Sequence, residues 1–258
     1  MSHRIRAWSL TWAGVLGIMV MFELLSRFEV LPSRYFPPVS EMLAELGTQL
    51  GRGSFWTDVA QTMRGWAIGL GLAVALAIPA GIVIGSSRVL YRAVRALIEF
   101  LRPIPSVALI PLAILIYGTG LQSKVFLVVF ASFWPLLIQT LYGVQDVDPV
   151  ATDTARAFGL NRWQQLLRVS LPSAVPYIAT GLRLSSSVAL ILAVTAELVI
   201  GSPGLGESIS AAQSGGATTL MYALTIATGL LGWGLNICFG RVERRVLFWH
   251  PSQRTVPR

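Results

Sequence analysis

Long stretches without a single charge constrain this chain more than any other feature. Between Arg6 and Glu23 lie 16 uncharged residues, between Arg64 and Arg88 lie 23, and Arg102 to Lys124 and Lys124 to Asp146 enclose 21 each. Arg168 to Glu197 encloses 28 residues interrupted only by Arg183, and Glu207 to Arg241 encloses 33 with no interruption. A helix in water keeps polar residues on its outer face, and these stretches have few to offer. Lipid removes that requirement, and about 20 mostly apolar residues suffice to cross it as a helix. Only 12% of the 258 residues are charged, against roughly 25% in a soluble domain. The pattern predicts an all-α membrane protein with six transmembrane helices, near residues 8–26, 63–86, 99–118, 122–143, 174–198 and 218–240, forming one domain over 1–258.

The formal net charge of +8 does not point to nucleic acid, because the twenty basic residues form short clusters between apolar runs rather than one stripe. They report topology instead. Six crossings place both termini on one side, and with that side as cytoplasm it holds thirteen arginines against five basic residues outside. Among the thirteen are Arg4, Arg6, Arg254 and Arg258 in the tails. The first apolar stretch lacks the small-residue cleavage site of a signal peptide, so an uncleaved first helix is expected. Cys238 is the single cysteine and has no disulfide partner in the chain. His3 and His250 lie in the tails, which leaves no histidine constellation for metal or catalysis inside the membrane. The sole lysine, Lys124, sits between Ser123 and Val125, so the Gly-Lys-Ser/Thr of a P-loop is absent. No cofactor is expected on this chain, and any nucleotide chemistry needs a partner.

Two connections are too long to be turns. The external one contains an amphipathic segment at 37–52, with Ser40 as a candidate cap and Met42, Leu43, Leu46 and Leu50 on one face. It suits either a connector along the membrane surface or a docking element. The internal one, residues 144–172, predicts a helical hairpin. Asp148-Pro149 opens the first helix, Gly159 closes it in a left-handed cap, Asn161 opens the second and Pro172 stops it.

Within that loop, Asp153-Thr154-Ala155, then Gly159, then Val169-Ser170-Leu171-Pro172 keep the spacing of a known pattern: EAA, three residues, Gly, nine residues, Ile-x-Leu-Pro. In this the chain resembles the permease subunits of bacterial ATP-binding cassette importers, with Asp for Glu, Thr for Ala and Val for Ile. The resemblance implies the type I importer permease fold, and docking of Asp153, Thr154, Ala155, Arg156, Ala157, Phe158, Gly159, Val169, Leu171 and Pro172 on an ATPase. ATP and Mg would then belong to two separate ATPase subunits. A second permease copy, an external solute-binding protein and membrane lipid would be the other partners, in a bacterial inner membrane.

Further stretches, among them Leu101–Pro105, Ala108–Leu112, Gly143–Pro149 and Gly204–Gly206, are similar to the nitrate, sulfonate, taurine and bicarbonate group. The resemblance implies a sulfonate, nitrate, bicarbonate or related small organic molecule as cargo. The residues after Gln213 depart from it, lacking the usual acidic residue before the last span.

Polar groups inside the spans are candidates for the solute path. Ser185, Ser186, Ser187 and Thr195 offer hydroxyls, while Arg183 and Glu197 are charges at membrane depth, where ionisable groups usually face protein or water. Fourteen residues apart on one helix, about 21 Å, these two cannot pair directly. Arg183 is expected to snorkel or to face the path, and Glu197 to hold the following Gly201–Gly206 turn. Arg102, before Pro103 and Pro105, marks a bend. An ion-gradient-driven transporter or a channel is the competing class, and it would show inverted repeats or buried acidic pairs, which the sequence lacks.

Overall fold

Lipid leaves the backbone amides of the apolar stretches no partner but one another, so the stretches become helices. The computed structural model describes residues 2–247, the side chains of 2–12 excepted; the readings on His3, Arg4, Arg6, His250, Arg254 and Arg258 fall outside those limits. Helix α1 is Ser2–Arg27, α2 Val39–Leu50 and α3 Gly53–Gly85. Helices α4 (Arg88–Leu101) and α5 (Ile110–Tyr117) are joined through a 3-10 turn at Ser106–Leu109. Then come α6 (Leu121–Gln145), α7 (Pro149–Ala157) and α8 (Arg162–Gln165), and a π-helical stretch, Leu166–Ser170, leads into α9 (Leu171–Ile200). Helices α10 (Leu205–Ser214) and α11 (Thr218–Val246) follow.

The expectation of six spans is overturned. Among the described residues four helices are long and apolar enough to cross a membrane: α3, α6, the continuous Arg162–Ile200 helix and α11. The expected span 99–118 is broken, with α4 and Ser106–Tyr117 meeting at 81°. Pro103 and Pro105 have no N–H to donate and their rings crowd the preceding turn, so a straight helix cannot pass. The two halves count as a fifth crossing only together. The expected span 8–26 falls on α1, which is not among those four, and it lies partly on residues whose side chains are not described.

Two local expectations are also corrected. Pro38, not Ser40, precedes the first turn of α2. The Ser40 hydroxyl and N–H donate to the Glu23 carboxylate at 2.8 and 3.0 Å, tying α2 to α1. Pro172 does not end the hairpin's second arm, which runs on into α9 as one continuous helix. The wider π-helical turn just before it carries the chain through.

Helices α3 and α6 run parallel in constant register. A Cβ on Gly81 would lie 2.7 Å from Thr140 and one on Gly85 2.9 Å from Val144, while one on Gly65 or Gly69 would overlap Lys124 or Val128. With the fully buried Ala73 and Ala77, these residues recur every fourth position along one face of α3. Lipid tails are as apolar as leucine, so helices associate through close packing, and small residues permit it. Helix α9 runs antiparallel to α6, with Gly181 against Leu136 and Gln139, and Gly143 against Ala174 and Tyr177.

Where α6 begins and α9 ends, at one end of this triple contact, sits a buried polar knot. Lys124 Nζ lies 2.7 Å from Glu197 Oε1, with the two side chains 2% and 0% exposed. Lys124 also donates to the Pro203 carbonyl at 2.9 Å. Glu197 Oε2 accepts from Thr62 Oγ1 and from the Gly206 N–H, both at 2.9 Å, and Leu205 N–H donates to Thr62 Oγ1. The expectation that Glu197 holds the following turn is met through the Gly206 contact. A side chain on Gly204 would overlap the Glu197 carboxylate, so that turn requires glycine.

Glu197→Gln is expected to destabilise the chain by about 3–5 kcal/mol, because it leaves a buried ammonium without its counter-charge. Adding Lys124→Met should restore most of the loss. Thermal unfolding in detergent reads both, and an unchanged Glu197→Gln single variant would show that the pair is not needed. Gly69→Leu is expected to cost about 1–3 kcal/mol by overpacking against Val128. Gly71→Leu, whose Cβ meets nothing within 4 Å, should be near neutral. Equal unfolding temperatures for the two leucine variants would refute the packing face.

Candidate functional site

The loop at the end of the bundle away from the Lys124–Glu197 knot is built from local signals. The Asp148 carboxylate accepts from Val150 N–H at 2.8 Å and Pro149 occupies the first turn, which starts α7. Gly159 adopts φ +74°, its N–H donates to Arg156 O at 2.9 Å, and Leu160 N–H donates to Ala155 O at 3.0 Å. This pair of bonds is a Schellman closure, and the left-handed residue in it favours glycine. Asn161 and Gln164 then form a reciprocal capping box at 2.8 and 3.0 Å, opening α8. The hairpin is therefore set by its own sequence.

Its surface is uneven. Ala155 is buried between the arms, whereas Phe158 at the tip is 79% exposed and Gly159 has open space around it. Asp153 and Arg156 pair at 3.1 Å on the exposed side, and Thr154 Oγ1 donates back to Val150 O. Ala157 and Pro172 are exposed, and Val169 and Leu171 are half-buried. Val150 and Trp163 are also exposed, at 70% and 67%. Phe158 lies outside the membrane-crossing helices, where a large exposed aromatic side chain is suited to a partner.

The residues singled out within the spans do not assemble on one surface. Ser185 Oγ donates to Ser132 O at 2.8 Å inside the α6–α9 contact, and Ser186 is buried, its carbonyl accepting from Trp66 Nε1. Ser187 is exposed, Thr195 half-buried, and Glu197 belongs to the knot. Arg183 Nε donates to Asn236 Oδ1 at 2.7 Å and its Nη1 lies 3.6 Å from Glu243, so it bridges α9 to α11. Arg102 is exposed beside the helix break and lines a cleft of about 410 Å³ with Arg95, Glu99 and Tyr142.

Sequence reasoning missed Lys124 as the partner of Glu197, and Asn236 and Glu243 as partners of Arg183. The signal for the first was present: a lone cation flanked by 21 uncharged residues on each side needs a counter-charge at depth. It also missed a second inner cleft, of about 670 Å³, between α6 and α9. There the Tyr177 hydroxyl donates to the Asp146 carboxylate, with Gln139 and Thr180 beside them. Among the described residues no group of three His, Cys, Asp or Glu side chains is placed to hold a metal.

Comparison with known proteins adds a family. Residues 74–247 match the family model described as binding-protein-dependent transport system inner membrane component. The chain is 30% identical over 243 residues to the taurine transport system permease protein TauC of Escherichia coli strain K12, covering 92% of this chain and 88% of that protein. It is 30% identical over 201 residues to the nitrate import permease protein NrtB of Leptolyngbya laminosa, covering 78% and 72%. In fold it is similar to the inward-facing MetNI methionine ABC transporter, with a TM-score of 0.66 at 20% identity over 75% of this chain and 96% of that one. A bacterial ABC transporter involved in alginate import gives 0.60 at 15% identity, over 94% and 98%. The small-residue packing of its helices, the capped inner hairpin and these matches together place the chain in the family of binding-protein-dependent transport system inner membrane components, the membrane-spanning permease subunits of ABC importers.

Proposed function

We propose that this permease carries a small solute delivered by an external binding protein, and that the loop of residues 144–172 couples it to ATPase subunits on the cytoplasmic side. The observation that carries the reading is the hairpin tip, where Phe158 stands 79% exposed beside the left-handed Gly159. An aromatic side chain held out from a rigid turn is suited to filling a cleft on another protein. The cytoplasmic placement is supported by charge. The hairpin end of the bundle carries Arg88, Arg92, Arg95, Arg156, Arg162 and Arg168, while the opposite end mixes Arg52 and Arg64 with Glu41, Glu45, Asp58 and Glu207.

Two copies of the chain, with two ATPases, would enclose the path between them. Arg102, Arg183, Ser187 and Thr195 retain exposed surface for it, and Ser185, Ser186 and Glu197 shape it from behind. The cargo is a sulfonate, nitrate, bicarbonate or related small organic molecule. The names of the taurine and nitrate relatives support this, as do the arginines beside the inner cleft, since guanidinium matches the geometry of an oxyanion. The bend at Arg102–Pro105 is suited to serve as a hinge.

Gly159→Arg is expected to abolish co-purification of the ATPase, because it strains a φ of +74° and adds bulk at the tip. Phe158→Asp, which leaves the backbone intact, should weaken association at least tenfold. Retention of the ATPase by both variants would sink the docking assignment. In vesicles holding the permease and its ATPase, uptake of taurine or nitrate should require both ATP and the binding protein; uptake without either counts against the whole reading.

A further inference from the structure

Where α3 ends and the hairpin turns back into α9, a groove of about 980 Å³ lies at the inner end of the bundle. Arg88 lines it from the start of α4, and Arg156 and Arg162 line it from the hairpin; all three are exposed and no acidic residue lines the groove. Arg156 shares its charge with Asp153, through side chains 65% and 72% exposed. Arg88 and Arg162 have no ionic partner among the described residues.

Besides the arginines and the polar Ser86, Gln165 and Ser170, the groove is lined by apolar side chains, among them Ile82, Val83 and Leu166, with Trp163 beside them. From Val83 an exposed apolar strip continues along the same face of α3 through Leu76 and Leu72, which are 58%, 55% and 46% exposed in that order. That strip lies within a helix long and apolar enough to cross the membrane. A free phosphate would satisfy the guanidinium groups and leave the walls unfilled. An acidic protein surface would cover the rim and leave the strip to bulk lipid. One ligand has an anionic group at one end and hydrocarbon continuing from it in the direction of the strip.

We infer that the groove binds an anionic phospholipid from the inner leaflet. Its phosphate sits among Arg88, Arg156 and Arg162, one acyl chain follows Val83, Leu76 and Leu72, and Trp163 lies at headgroup level, where amphipathic rings are favoured. The site depends on the membrane embedding of α3 and not on the ATPase assignment. Bound there, the lipid bridges the hairpin to the end of α3.

Native mass spectrometry of the purified full-length chain tests this, with phosphatidylglycerol, phosphatidylcholine and inorganic phosphate as probes. The wild-type chain is expected to retain phosphatidylglycerol over phosphatidylcholine, and millimolar inorganic phosphate should not displace it. Arg88→Gln or Arg162→Gln should each weaken retention about fivefold, and the double variant about 25-fold. Arg244→Gln with Arg245→Gln removes the same charge from the last turn of α11 and should leave retention within about twofold. Equal loss in the two double variants would reduce the site to general surface charge and overturn it. Equal retention of phosphatidylcholine would also overturn it, as would displacement by inorganic phosphate or exclusion of the lipid when the ATPase is bound.

Discussion

Apolar side chains gain nothing by leaving lipid for the interior of a bundle, so something other than the hydrophobic effect has to hold the helices in register. Here the Lys124–Glu197 pair does so at one end. It joins the start of α6 to the end of α9, takes in Thr62 of α3, and through the Gly206 N–H and the Pro203 carbonyl secures the turn leading to α10. A buried pair of this kind contributes little net stability compared with apolar packing, but removing one partner is severe, which makes it a strong selector of one arrangement over its alternatives. Gly65 is part of the same device, because a side chain there would occupy the space of the lysine stem.

From that fixed end the small-residue face of α3 and the antiparallel contact of α9 propagate the packing toward the hairpin. The hairpin is not hung on a flexible loop. Its second arm passes through the π-helical stretch into α9 without a break, so the hairpin arm and the longest crossing helix form one continuous piece. The sharp bend after α4 is the other place where the chain changes direction within the membrane region, and it sits beside the cleft lined by Arg102. The knot thus fixes one end of the bundle, and the bend and the hairpin lie toward the other.

The hairpin was legible residue by residue because caps are local. Asp148-Pro149, Gly159 and Asn161 each act within four residues of themselves, and each behaves as its chemistry predicts. Pro172 misled because a proline usually stops a helix, whereas here the π-helical widening just before it lets the helix continue. Arg102 to Lys124 misled for a different reason. Its length and apolarity suit a span, yet the two prolines outweigh composition.

By itself the sequence determined that the chain lives in lipid, that most of its long uncharged stretches are helical and how the hairpin turns, since these follow from composition, spacing and contacts near in the chain; it marked a bend at Arg102 but did not show the full break between α4 and α5. Tertiary structure alone decided that Lys124 meets Glu197, that Arg183 meets Asn236 and Glu243, and that Ser185 and Ser186 lie within a helix contact. Those outcomes depend on the rotation and register of helices distant in the chain. In a helix that is apolar on every side hydropathy does not mark the buried face, and even a small-residue face such as that of α3 does not name the helix it meets, so only the packing can choose.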